Sequence, residues 1–98
     1  SDLQQRVADT LVYLARVYGE PTKRGLRINL RLTQQDLASL VGTSRVSVSN
    51  SFRYFKSCGL VTKHGGYFYI LNLQGLRQYS SGAGDVSRLT CEELLPVG

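Results

Sequence analysis

The stretch from Leu32 to Val61, LTQQDLASLVGTSRVSVSNSFRYFKSCGLV, constrains the fold of this chain more than any other. It holds two short apolar patterns separated by a bend at Gly42-Thr43-Ser44. Leu37, Ala38, Leu40 and Val41 supply the first pattern. Val48, Phe52 and Phe55, at steps of four and three, mark the buried face of the second. Thr33 followed by Asp36 is a variant of the capping box, and the Asp36 carboxylate suits the positive end of a helix dipole. Ser44 caps the second helix, and Gly59 is placed to end it in the left-handed region. Ala38 stands four residues before Gly42 and Val48 six after it. Two helices crossing steeply over so short a turn need a small side chain at the crossing, a glycine in the bend and an apolar knob on the second helix. All three are present at the required spacing, which predicts a helix-turn-helix.

The flanks complete an architecture. Leu3, Val7, Leu11, Leu14 and Tyr18 form an apolar stripe, so an amphipathic helix is expected over residues 3–18, stopped by Gly19. Residues 19–25 read as a loop. Strict alternation of Leu26, Ile28, Leu30 and Leu32 with Arg27, Asn29 and Arg31 predicts a half-buried strand with a basic, solvated outer face. Residues 60–63 and 67–71 read as two strands joined at Gly65-Gly66, where both positions can take positive φ. Residues 72–79 suit one more short helix, with Leu73 and Leu76 inward. The expected fold is mainly α with a small antiparallel β-sheet: a winged helix-turn-helix, with a three-helix core and a β-hairpin wing. Residues 1–79 form the domain. Residues 80–98 are expected to be a flexible tail with a possible short helix near Thr90.

The charge is unevenly spread. The 98 residues carry a net +5, yet the part between Pro21 and Ser80 has nine bases against the single acid Asp36, a net +8. Such a field attracts polyanions. Catalysis is not expected, because the chain has no phosphate-cradling glycine loop and no inward carboxylate pair. Its one histidine, His64, does not fall with Cys58 and Cys91 into a metal-ligand spacing. No metal or cofactor is expected in this chain. Two cysteines do not make the disulfide framework of a small secreted domain, and no apolar run is long enough for a membrane span, so a cytoplasmic location is expected. The chain enters a helical pattern at Ser1, as a piece of a longer protein would.

Residues 3–71 resemble the carboxyl-terminal DNA-binding domain of the Crp/Fnr family of transcription regulators. The likeness is carried by the amphipathic helix, the alternating strand leading into LTQQDLASLVGTSR, the VSVS segment, the GLV strand and the His-Gly hairpin. It implies double-stranded DNA binding by a bacterial transcription regulator, with the recognition helix over 44–58 in the major groove and the 60–71 hairpin as wing. At 100° per residue, with Val48, Phe52 and Phe55 inward, Val46, Asn50 and Arg53 point outward. Ser49 lies at the edge of that face, and Arg45 projects from the first turn. These five are the candidate base contacts. Arg45 suits guanine O6 and N7, Asn50 adenine N6 and N7, and Val46 a thymine methyl. For Arg45 the resemblance implies the same contact. Thr33, Gln35, Ser44, Ser47, Lys56, Lys63 and His64 are the candidate contacts to the DNA backbone. Family members reading the best-known half-site carry glutamate at the position of Val46 and arginine at that of Asn50, so a different half-site is expected here. Ser51 stands where the family usually has an apolar residue.

The resemblance further implies a homodimer of the full-length protein on a pseudo-palindromic operator, an amino-terminal effector domain whose ligand this chain does not reveal, and RNA polymerase as a possible partner. The competing reading is a winged helix that docks proteins and has no DNA binding.

Overall fold

The computed structural model describes residues 2–81. Eight elements follow in order: α1 (Leu3–Tyr18), β1 (Gly19–Thr22), β2 (Gly25–Ile28), α2 (Gln34–Val41), α3 (Arg45–Ser57), β3 (Val61–His64), β4 (Tyr67–Ile70) and α4 (Leu73–Arg77). The strands form one antiparallel sheet in the order β1-β2-β4-β3. The helices pack on it around a core that includes Val7, Leu11, Ile28, Leu37, Val48, Phe55, Leu60, Phe68 and Leu76. Removing each such side chain from water stabilises the fold by about 1.5–3 kcal/mol. The expected winged helix-turn-helix is therefore present. The expected turn of helix near Thr90 and the tail over residues 80–98 lie outside the described residues, save for Ser80 and Ser81.

Three expectations are corrected. The segment after α1 is a strand, not a loop. Gly19 closes α1 in an extended conformation, φ −71° and ψ 139°, and the chain runs directly into β1. Glu20 pairs with Arg27 and Pro21 with Leu26. β1 is an edge strand, where a proline without an N–H is tolerated. Second, the strand predicted through Leu32 ends at Ile28. There the Asn29 N–H donates to the Tyr18 carbonyl at 2.9 Å, and the Leu30 N–H turns back to the Ile28 carbonyl at 2.8 Å and leaves the ladder. Leu30 and Leu32 still pack on the core without belonging to the sheet. Third, Tyr18 is exposed. The buried stripe of α1 is Val7, Ala8, Leu11, Leu14 and Ala15, where two alanines let the helix lie close to its neighbours.

Long-range polar ties hold the helices in place. Arg6 on α1 donates through Nη2 to the carbonyls of Val41, at 2.8 Å, and Gly42, at 3.0 Å. It thereby satisfies the end of α2, where carbonyls lack helical partners. Arg6→Met keeps the apolar stem and loses both bonds. It is expected to cost about 1.5 kcal/mol, read as a lower urea midpoint with an unchanged slope.

Candidate nucleic-acid interface

The interface is built from the cap of α2 onward. The Thr33 hydroxyl accepts from the Asp36 N–H at 3.0 Å, and the Asp36 carboxylate accepts from the Thr33 N–H at 2.9 Å. Hydrogen bonds from Thr33 to the Asp36 carboxylate, the backbone N–H first and the hydroxyl second, hold that carboxyl below its ordinary value of 3.8; Lys63 adds a smaller pull in the same direction. A carboxyl lowered in the folded state stabilises it fully above pH ~4, and the contribution is lost as pH falls through the lower, folded value. Asp36→Asn is therefore expected to flatten the acid limb of the stability curve, measured by urea unfolding between pH ~2 and ~5, and to change its slope little near pH 7.

The bend follows. Gly42 sits at φ 84°, a left-handed conformation that a side chain would strain. The Gly42 and Thr43 N–H groups both donate to the Ala38 carbonyl, at 2.8 and 3.0 Å. Ala38 is fully buried at the crossing. The Ser44 hydroxyl accepts from the Ser47 N–H at 3.1 Å and donates to the Ser47 hydroxyl at 3.0 Å. Both serines are thus engaged in capping α3.

From that cap α3 presents a polar face. Arg45, Val46, Asn50, Arg53 and Lys56 are exposed, with Ser47 and Ser49 half-buried at its margin. Val46 is 61% exposed, unusual for a valine and appropriate for a contact made elsewhere. Val48, Ser51, Phe52 and Phe55 face inward. Arg45, Ser49, Arg53, Lys56 and Lys63 converge with Gln34 and Phe52 on an open cleft of about 460 Å³ between α2, α3 and the wing. Thr33, Gln35, Val46, Asn50 and His64 are exposed outside its lining. Three of the predicted base contacts already have partners. The Ser49 hydroxyl donates to Gln34 Oε1 at 2.6 Å, and Arg53 Nη1 donates to Asn50 Oδ1 at 3.1 Å.

The wing turns at Gly65 (φ 60°) and Gly66 (φ 85°), the pair of positive angles that a two-residue hairpin requires. Lys63 lies 4.9 Å from the centroid of the Phe68 ring. Phe68 and Tyr69 are buried, as hairpin packing predicts, and Tyr67 is half-buried. The Tyr67 ring carries the Arg31 guanidinium at 4.8 Å and that of Arg27 at 5.3 Å. Arg31 also reaches the Gly65 carbonyl at 3.4 Å. Arg27 is balanced by Glu20, 3.6 Å away, whereas Arg31 makes no ion pair among the described residues. Reasoning from alternation placed both arginines on a plain solvated face. It missed that Arg31 stands against the wing tip, and it missed Gln34. Among the described residues no three His, Cys, Asp or Glu side chains group to hold a metal, and no helix is long and apolar enough to cross a membrane.

Comparison with known proteins agrees with this geometry. The family described as Crp-like helix-turn-helix domain matches residues 5–79. The global nitrogen regulator of Synechococcus elongatus is 29% identical over 80 residues, which cover 82% of this chain and 36% of that protein. The CRP-like cAMP-activated global transcriptional regulator of Mycobacterium tuberculosis is 35% identical over 65 residues, 66% of this chain and 29% of that one. Among solved structures, the CO-dependent transcription factor CooA of Carboxydothermus hydrogenoformans superposes with a TM-score of 0.76 at 30% identity, covering 82% of this chain and 37% of the other. The chain thus spans about a third of the length of these relatives.

Proposed function

Because this chain belongs to the family of Crp-like helix-turn-helix domains, we propose that it docks on double-stranded DNA with α3 in the major groove and the β3–β4 hairpin beside it, as the DNA-binding part of a bacterial transcription regulator. The observation that carries the reading is the convergence of Arg45, Arg53, Lys56 and Lys63 on one open cleft, beside a helix whose exposed face has no acid.

The roles divide by chemistry. Arg45, Val46, Ser49, Asn50 and Arg53 face base edges, the first two from the leading turn of the helix, which enters deepest. Lys56, Lys63 and Arg31 supply positive charge to phosphates. Arg31 joins this group because the Tyr67 ring and the wing tip hold its guanidinium in place. Thr33, Gln35, Ser44, Ser47 and His64 border the same surface and offer N–H or hydroxyl groups to the backbone. The full-length protein acts in the cytoplasm as a homodimer on a pseudo-palindromic operator, its half-sites about one helical turn apart. An effector domain outside this chain and contact with RNA polymerase complete the proposed regulator.

Titration of fluorescent operator duplexes with the full-length protein tests this. Arg45→Ala is expected to weaken the specific duplex by about 1–3 kcal/mol and to relax the preference for one guanine. Equal weakening on all sequences would mean that Arg45 touches only phosphate.

A further inference from the structure

Cys58 closes α3. It is the C-cap residue, its N–H donates to the Tyr54 carbonyl at 3.1 Å, and its side chain is buried. Its sulfur is engaged as well: Cys58 is disulfide-bonded, and no free cysteine is present among the described residues. The 98 residues hold two cysteines, Cys58 and Cys91. Within one chain, a bond from Cys58 therefore has one choice of partner. Neither the packing of α3 nor the polar face that it offers to DNA calls for a covalent bond at this end.

The chain leaves the described fold close to this bond. Tyr79 packs on Phe55 with ring centroids 5.1 Å apart, and its hydroxyl is hydrogen-bonded to that of Tyr54 at 2.9 Å. Tyr54 and Phe55 precede Cys58 by four and three residues, in the last turn of α3. Two residues after Tyr79, the Ser81 N–H and hydroxyl donate to Asp9 Oδ1 at 2.8 and 3.2 Å, which ties the chain to α1. Cys91 lies ten residues beyond Ser81. Ten residues reach at most ~35 Å when extended, more than the 31 Å greatest extent of the molecule. Length therefore sets no bar to a meeting of the two cysteines.

We infer that residues 82–91 are a strap from α1 to the trailing end of α3, fastened by a Cys58–Cys91 disulfide that thiol–disulfide exchange closes and opens. Closing breaks both S–H bonds and forms one S–S bond. The two electrons pass to a small disulfide such as oxidised glutathione, whose S–S bond breaks and whose two sulfurs take up the two protons. Opening runs the same exchange backwards, with a small thiol as the electron donor. Burial gives the opening a direction. Cys58 is 2% exposed, so an incoming thiolate is shielded from its sulfur, attacks that of Cys91 and expels Cys58 as the leaving group. In a reducing compartment such a bond is transient and senses redox state. Arg6 already holds α1 to the bend that precedes α3. The closed strap adds a hold at the other end of that helix. It also closes a covalent loop from residue 58 to residue 91, which restricts the unfolded chain and so stabilises the folded one.

The test compares the 98-residue chain equilibrated with oxidised glutathione against the same chain in dithiothreitol. Oxidation is expected to give a single chain about 2 Da lighter, in which iodoacetamide labels neither cysteine. Trypsin, which cuts after Lys56, Lys63 and Arg88, is then expected to release the peptide 57–63 joined to 89–98. The oxidised chain should melt roughly 15 °C above the reduced one. Both arms use the unaltered protein, so neither depends on a variant that folds. Cys91→Ser is expected to abolish the difference in melting and to leave the reduced value in place. Cysteines that stay open to alkylation in oxidised glutathione, or bonds that form only between two chains, would overturn the inference. A bond that closes but persists in dithiothreitol would overturn the exchange and make the strap a permanent staple.

Discussion

Raising the salt from about 50 to about 200 mM should weaken duplex binding roughly 500-fold for each DNA-binding domain. The figure follows from the cations that face the cleft and the wing. Arg31, Lys56 and Lys63 beside the phosphates, and Arg45 and Arg53 in the groove between the two phosphate rows, each bring a positive charge that displaces condensed counterions. At ~0.9 per phosphate, ~5 contacts give a log–log slope near −4.5. Asp36 is the one acid on this side, and its carboxylate is turned onto its own helix cap, so it subtracts little. Anisotropy titrations across the salt range would measure the slope directly. A flat response would favour the competing reading, a winged helix that docks proteins. A slope of about −2.7 would mean that Arg31 and the wing lysine stay off the backbone.

Phe55→Ala should remove a large share of the fold's stability. Phe55 is fully buried on α3, against Tyr79 just beyond α4. Its ring lies 5.1 Å from that of Tyr79 at 67° and 5.8 Å from that of Tyr54. The two tyrosine hydroxyls are bonded to each other at 2.9 Å above it. Burial, then the bond and charge interaction with Tyr54, raise the ionisation of the Tyr79 hydroxyl above its ordinary range, so that hydroxyl stays neutral across working pH. Truncating the ring removes its transfer energy and leaves a cavity, together about 3–5 kcal/mol. A domain of this size has only about 5–15 kcal/mol to lose. Urea unfolding followed by circular dichroism would show the midpoint collapse. An unchanged midpoint would show that Phe55 does not belong to the core.

What the sequence made legible was whatever is encoded within a few residues. The Thr33–Asp36 box, the Ser44 cap, the bend at Gly42 and the Gly65-Gly66 turn each depend on neighbours along the chain, and each stands where its spacing placed it. The apolar positions of α2 and α3 follow from helical period alone. Features that depend on distant partners were hidden. Gly-Glu-Pro-Thr has the composition of a turn, and it becomes β1 only because β2 supplies the ladder. The carbonyls that Arg6 reaches are 35 and 36 residues away. Ser49 and Gln34 are 15 apart, and Arg31 and Gly65 are 34 apart. No periodicity reports such meetings. The same holds for Asn50: angle alone turns it outward, but only coordinates reveal that its carbonyl accepts from Arg53.

The Arg6 bridge has a mechanical consequence. One guanidinium grips the two peptide carbonyls at the hinge of the motif, and Ala38 is fully buried at the crossing. The first helix and the reading helix are thereby coupled like a handle and a key.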